Sequence, residues 1–342
     1  MGFVYVHPIP SVEEILEEIP VTKQSIEVKK ALDTRIADVF TGMSDKFILI
    51  IGPCSAHDEE AVVDYVNRLA SVQDRVKDKL LLIPRIYTNK PRTTGEGYKG
   101  MAHQPRHREE PNMVEGLKAI RRMHIRSLSE TGLAAADEML YPENYPYLAD
   151  VLSYVAIGAR SVENQKHRLT VSGLDIPVGM KNPTSGDYEV MLNSVKAAQL
   201  PHVFSYNGWE VSTTGNPLTH AILRGAVNKH GQSLPNYHYE DLIILAEMYI
   251  KRGLLNPAII VDTNHANSGK QFKEQSRIAL EVLQSRQQSK ALNQLVKGFM
   301  IESFIVEGAQ SASANVYGQS ITDPCLGWDD SEALILKIAD IV

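Results

Sequence analysis

From residue 47 onward the sequence alternates between short apolar runs and longer amphipathic stretches, and it does so eight times. The runs occupy 47–51, 80–87, 133–138, 154–159, 176–180, 218–223, 257–262 and 296–301. The first, FILII, is apolar throughout, as a strand covered on both faces must be. Helical patterns follow at 58–76, 113–131, 144–153, 163–171, 188–198, 239–252, 271–288 and 331–342. Repeated strand–helix units build parallel sheets through right-handed crossovers. Eight such units in about 295 residues fit a closed α/β fold, the (β/α)8 TIM barrel. A doubly wound sheet would use fewer strands and open on a Gly-rich turn. Neither GxGxxG nor GxxxxGK[ST] occurs.

Two segments stand outside the alternation. Residues 1–45 form an N-terminal extension, with an oligomeric or regulatory role, ahead of a catalytic barrel over 46–342. Within it, 3–6 reads as a β-like run. Ser11 and Glu14 form a capping box for a helix at 12–18, and 24–40 reads as a second helix. The other segment, 201–216, is an inserted β-hairpin before strand 6, turning at Asn207-Gly208.

Composition narrows the class. The formal net charge is −6 and no broad basic face is evident, which disfavours nucleic acid. No window approaches 18 consecutive apolar residues and the N-terminus lacks a signal-peptide pattern, so a cytoplasmic protein without membrane contact is expected. Two cysteines, Cys54 and Cys325, do not make a disulfide scaffold.

Barrel chemistry belongs at the C-terminal ends of the strands. Those ends carry Cys54, Arg85, Glu138, Arg160, Lys181, Arg224, His265 and Glu302. Singly, an Arg after a strand is an ordinary solvated residue. Eight polar residues at eight exits are not a core pattern. Arg85, Arg160, Lys181 and Arg224, with Lys90 and Arg92 from the following loop, put six cations on one mouth. They suit a ligand carrying phosphates and a carboxylate. Cys54, His265, Glu302 and Asp323 form a second set, able to hold one divalent metal ion. Mn, Fe, Co and Zn all remain open. His103, His107 and His124 read as surface residues, and Trp209 and Trp328 as packing residues.

The motifs IIGPCSAHD, KPRTT, AIGAR, PVGMK, ILRG, NHANS, MIESF and SITDPCLGW resemble those of type I 3-deoxy-D-arabino-heptulosonate 7-phosphate (DAHP) synthase, in its feedback-regulated branch. KPRTT is the most specific, since the sister family making 3-deoxy-octulosonate 8-phosphate has a KANRSS-like segment there. The resemblance implies condensation of phosphoenolpyruvate with erythrose 4-phosphate, releasing phosphate. It implies Arg160, Lys181, Arg224 and the Ala159 amide around the phosphoenolpyruvate phosphate, and Arg85 and Lys181 on its carboxylate. Lys90, Arg92 and Thr93 would bind erythrose 4-phosphate, and Cys54, His265, Glu302 and Asp323 the metal. Lys90 is the candidate acid, with Glu138 or His265 beside the attacking water. Lys99 is not assigned, because its loop is longer than in familiar members. The resemblance also implies a homodimer or homotetramer, and an aromatic amino acid effector held by the hairpin and the N-terminal segment.

Rival readings are a synthase using another sugar phosphate, a non-catalytic scaffold on the same barrel, and a metal-dependent hydrolase. The hydrolase would be expected to show HxH after the first strand, where this chain reads GPCS.

Overall fold

The computed structural model describes residues 2–342. Eight parallel strands form one sheet: β1 (Phe47–Gly52), β2 (Leu80–Pro84), β3 (Ala135–Glu138), β4 (Leu152–Ile157), β5 (Val178–Lys181), β6 (Thr219–Leu223), β7 (Ile259–Asp262) and β8 (Val296–Glu302). Chain neighbours are sheet neighbours, and β1 also pairs β8. The remaining seam is closed between Arg85 and Ala136, where the Ile86 N–H donates to the Ala136 carbonyl at 2.9 Å. The fold is therefore the expected (β/α)8 barrel.

The helices are α1 (Val12–Glu18), α2 (Lys23–Thr41), α3 (Glu59–Val76), α4 (Met113–Thr131), α5 (Gln165–Val171), α6 (Tyr188–Ala198), α7 (Tyr239–Arg252), α8 (Glu274–Gln288), α9 (Lys290–Leu295) and α10 (Trp328–Ile341). Their ends follow the local chemistry. Ser11 and Glu14 complete the capping box on α1. Asp58 and Asp187 cap α3 and α6. Gly132 and Gly253 take the left-handed conformation that ends α4 and α7.

Alternation along β1 separates two cores. Phe47, Leu49 and Ile51 belong to the outer layer against the helices. Ile48 and Ile50 face the barrel interior with Ile83, Tyr154, Ile222, Ile260 and Met300. Ile36, Val39 and Phe40 of α2 join that inner cluster. The extension thus supplies the floor of the barrel, which its mixed-face sequence pattern does not reveal.

Three local expectations change. The β-like run at 3–6 forms no strand, and its side chains are exposed. The second strand stops at Pro84, earlier than 87, because beyond it the chain pairs with β3 only through the single bridge of Arg85 to Ala136. The helix expected at 144–153 is a short 3₁₀ turn, Pro142–Tyr147, and β4 already begins at Leu152. Pro142 and Pro146 lack the N–H groups an α-helical ladder needs. The hairpin forms as read: Val203–Tyr206 pairs with Trp209–Ser212 across Asn207 (φ 48°) and Gly208 (φ 82°). Trp209 is 75% exposed at its tip and is not a packing residue.

Candidate functional site

The mouth is a cavity of about 330 Å³ at the C-terminal ends of the strands. Cys54, Arg85, Lys90, Arg92, Glu138, Ala159, Arg160, Lys181, Arg224, His265 and Asp323 all line it. Glu302 lies beneath it, bonded to Arg85.

Cys54, Glu302 and Asp323 bring a sulfur and two carboxylate oxygens within 4.8 Å of one another. His265 Nε2 lies 3.8 Å from Glu302 Oε1, which extends the group to a fourth donor. His265 has φ 48°, a strained value for a non-glycine residue. Such strain collects at functional positions. Positive charge is already favoured here: the Lys90 ammonium lies 2.6 Å from Cys54 Sγ and 3.0 Å from Asp323 Oδ2. Thiolate, imidazole and carboxylate donors around one point fit a first-row divalent ion.

The charges set one another. Burial raises the Cys54 thiol and the Glu302 charge adds to that, outweighing Lys90. Burial also works against the Lys90 ammonium, but Cys54 and Asp323 hold it above the ordinary lysine value. Asp323 is half-buried, which works against its charge, yet Lys90 and Lys270 keep its carboxyl well below the usual range. Glu302 is fully buried and would resist ionisation, and Arg85 reverses that by donating to Oε1 at 2.9 Å. Asn264 donates to the other oxygen at 2.6 Å. Arg85 also donates to the Pro53 carbonyl and stacks on Tyr87, 3.7 Å from the ring centroid.

The cations fall around the opposite side. Burial lowers Arg224, and Arg160 adds repulsion to the same effect. One terminal nitrogen of Arg224 is buried without a partner. Arg160 Nε donates to Thr93 Oγ1 at 2.8 Å, joining the fourth strand's exit to the KPRTT loop. Arg92 Nε donates to the Tyr98 carbonyl at 2.8 Å, which fixes that loop's curvature. Glu138 ends β3, and its carboxylate lies where a Cβ on Gly158 would be. Gly158 therefore makes room for that carboxylate. Lys99 is exposed and joins the loop through its carbonyl, which accepts from the Lys90 N–H at 3.0 Å.

Several positioning groups escaped the sequence reading. Asp262 is buried, with Oδ2 2.8 Å from His265 Nδ1 and 3.5 Å from Lys181 Nζ. Its carboxyl is held well below the usual range: burial opposes this, and His265 and Lys181 prevail. Gln275 of α8 bonds both the N–H and the carbonyl of Glu302. Asn182 accepts from the Arg224 N–H at 2.9 Å. Asp137 accepts from the Thr88 N–H at 2.9 Å and anchors the start of the cationic loop. His124, expected on the surface, is buried with Nε2 3.5 Å from Asp137. His107 and His103 are not free surface groups either. The His107 ring packs edge-on against His57 at 5.6 Å, and His103 lies 5.2 Å from Tyr141.

A closed barrel with a cationic mouth and a cluster of metal-competent donors defines an enzyme class acting on anionic substrates at its strand ends. Comparison narrows the class. The chain belongs to the DAHP synthetase I family, whose model matches residues 18–335. It is 38% identical to the phospho-2-dehydro-3-deoxyheptonate aldolase of Haemophilus influenzae over 96% of this chain and 90% of the relative. It is also 38% identical to the Phe-sensitive phospho-2-dehydro-3-deoxyheptonate aldolase of Escherichia coli K12, over 96% and 93%. The solved phospho-2-dehydro-3-deoxyheptonate aldolase of Francisella tularensis SCHU S4 superposes with a TM-score of 0.91 at 30% identity, covering 100% of this chain and 98% of that one. Membership makes the chain an enzyme of the DAHP synthase kind. Among the described residues no helix is long and apolar enough to cross a membrane.

Proposed function

We propose that the chain condenses phosphoenolpyruvate with D-erythrose 4-phosphate to give DAHP and inorganic phosphate, the first step of the shikimate route to aromatic amino acids. The observation that carries this reading is the meeting of three groups in one mouth. Two of the Cys54/His265/Glu302/Asp323 donors, Cys54 and Asp323, touch Lys90, Lys90 leads into the Arg92–Thr93 loop, and Thr93 is bonded to Arg160.

Phosphoenolpyruvate is assigned to the deep end. Arg160, Lys181, Arg224 and the Ala159 N–H take its phosphate, and Arg85 and Lys181 its carboxylate. The unpartnered Arg224 nitrogen supports an anion at that point. Erythrose 4-phosphate is assigned to Lys90, Arg92 and Thr93. Holding two mutually repelling anions in attack geometry is a large part of the catalytic task.

Cys54, His265, Glu302 and Asp323 would hold a divalent ion, which supplies a Lewis acid for the aldehyde oxygen. C3 of phosphoenolpyruvate attacks the aldehyde carbon. Lys90, kept protonated by its acidic neighbours, delivers the proton to the developing alkoxide. Positive charge then appears at C2, where water oriented by Glu138 or His265 adds. The hemiketal phosphate collapses to the ketone, and phosphate leaves into the Arg160/Lys181/Arg224 cluster.

The reading includes regulation and assembly. A cavity of about 400 Å³ between the hairpin and α5, lined by Tyr145, Pro146, Thr170, Leu174, Phe204 and Val211 among others, supports an aromatic amino acid effector. The Phe-sensitive name of the Escherichia coli relative agrees. The exposed Phe3, Val4, Tyr5 and Val6 support self-association as a homodimer or homotetramer. The cytoplasm is the expected compartment. Phosphate release should be measured with phosphoenolpyruvate and either erythrose 4-phosphate or a five-carbon sugar phosphate, with Phe, Tyr or Trp added in turn. Release with the four-carbon sugar is expected, inhibited by one of the amino acids. Preference for the five-carbon sugar would overturn the substrate assignment.

A further inference from the structure

The end of the barrel opposite the mouth carries another cavity, of about 400 Å³, between the loop joining α2 to β1 and the α8–α9–β8 segment. Lys46, Arg286 and Lys297 line it, with the Asp45 carboxylate and the final residue, Val342, beside them. Among the described residues none of these three cations forms a salt bridge. The Val342 oxygen at the cavity edge accepts from another residue, Lys79, at 2.6 Å.

Arg286 is the least satisfied of the three. Its guanidinium lies over the Phe47 ring, 4.6 Å from the centroid. One terminal nitrogen donates to the Asn293 carbonyl at 3.1 Å, while the Nε–H is buried with no partner. A buried donor left unmade carries the full desolvation cost of that group. Burial pushes the Arg286 guanidinium down to about 10. Burial lowers Lys297 too, and Arg286 adds repulsion that Asp45 only partly offsets. Two neighbouring, partly dehydrated cations and an orphaned N–H all become favourable together when a multiply charged acceptor enters between them.

We propose that this cavity is a second anion site, taking the doubly charged tetrahedral oxyanion of a phosphate group on Arg286, Lys297 and Lys46. The volume exceeds what one phosphate fills. The remainder suits the organic part of a small phosphate ester, whose polar groups would meet the amides of Gln287 and Gln294. The site is independent of the chemistry at the mouth, and none of its residues takes part there.

Selenate soaked into crystals of the full chain tests this, because the anomalous signal locates the ion. A peak beside Arg286 is expected in addition to any at the mouth. The peak should vanish in Arg286→Gln, and selenate affinity at that site, measured by titration, should fall by about tenfold or more. Turnover should be unchanged. If Arg286→Gln does not fold, Lys297→Gln gives the same reading. Competition by inorganic phosphate and by glycerol 3-phosphate separates the free ion from an ester as the natural source. Selenate bound only at the mouth would overturn the proposal, as would a cavity peak equally strong in both variants. The mouth peak is scored separately, so failure here does not bear on the catalytic reading.

Discussion

Asp262 sits between the two halves of the mouth, beside His265, proposed as a metal donor, on one side and Lys181, proposed to hold phosphoenolpyruvate, on the other. Its carboxylate lies 2.8 Å from His265 Nδ1, on the side of the ring away from Nε2, which lies 3.8 Å from Glu302. Outer carboxylates of this kind hold the tautomer and orientation of a ligating imidazole. Asp262→Asn should weaken divalent-metal affinity by roughly 10–100-fold in a direct titration, with the fold intact. Unchanged affinity would remove Asp262 from the positioning role. Lys90 makes the complementary prediction. Lys90→Met should leave phosphoenolpyruvate binding largely intact and lower turnover by at least about 10²–10⁴-fold, the range of a lost general acid. Near-normal turnover would end its assignment as the acid. At this scale, the residues legible in the sequence are those that come directly after an apolar run, as Arg160, Lys181 and Glu302 do, or just past its Gly-Pro stop, as Cys54 does. Asp262 was hidden because it closes such a run and its meaning depends on partners from β5 and the β7 loop. Gln275 was hidden because an amide on a helix carries no signal until its strand partner is known.

Among the elements, α2 departs furthest from its sequence pattern. Its charged residues gave no single apolar face, yet Ile36, Val39 and Phe40 enter the barrel floor. Phe40 stacks on His220 at 4.2 Å. His220 Nδ1 lies 2.9 Å from the Leu218 carbonyl and Nε2 2.8 Å from Tyr154 Oη, so a neutral ring donates at the first and accepts at the second. Burial pushes the imidazole down to about 4. Below its unfolded value of about 6.5 the unfolded chain takes up a proton that the folded one refuses. The stabilisation is therefore complete above about pH 6.5 and is lost as pH falls toward 4, amounting to about 3 kcal/mol across that window. Urea unfolding at pH 5 and pH 7.5 should show a larger loss of stability in the native chain than in His220→Gln. Equal losses would contradict the buried neutral ring. The hairpin shows the opposite case. Its Asn-Gly turn is a local signal needing no tertiary partner, so it could be read directly. The Pro142–Tyr147 turn was misread because its apolar spacing resembles a helix while its prolines forbid one.

For the molecule as a whole, the barrel follows from the count and spacing of strand–helix units, which is why the architecture is legible in the sequence. What spacing could not supply is the alliance of opposite charges inside the mouth. Arg85 and Glu302 form a pair 2.9 Å apart, with side chains only 2% and 1% exposed. A pair buried so deeply contributes orientation more than net stability, and removing one partner costs about 3–5 kcal/mol. The same enclosure sets Lys90 among Cys54 and Asp323 and leaves Arg224 facing the cavity with an unused donor. On this account the anion-binding cations and the four metal donors are one device, and neither half turns over alone. The most direct test is phosphate release by the full-length protein after exhaustive chelation, with phosphoenolpyruvate and erythrose 4-phosphate both saturating. Release should fall to background, return on adding back a divalent ion, and require both substrates throughout. Undiminished release from the chelated protein, or release from phosphoenolpyruvate without the sugar phosphate, would contradict it.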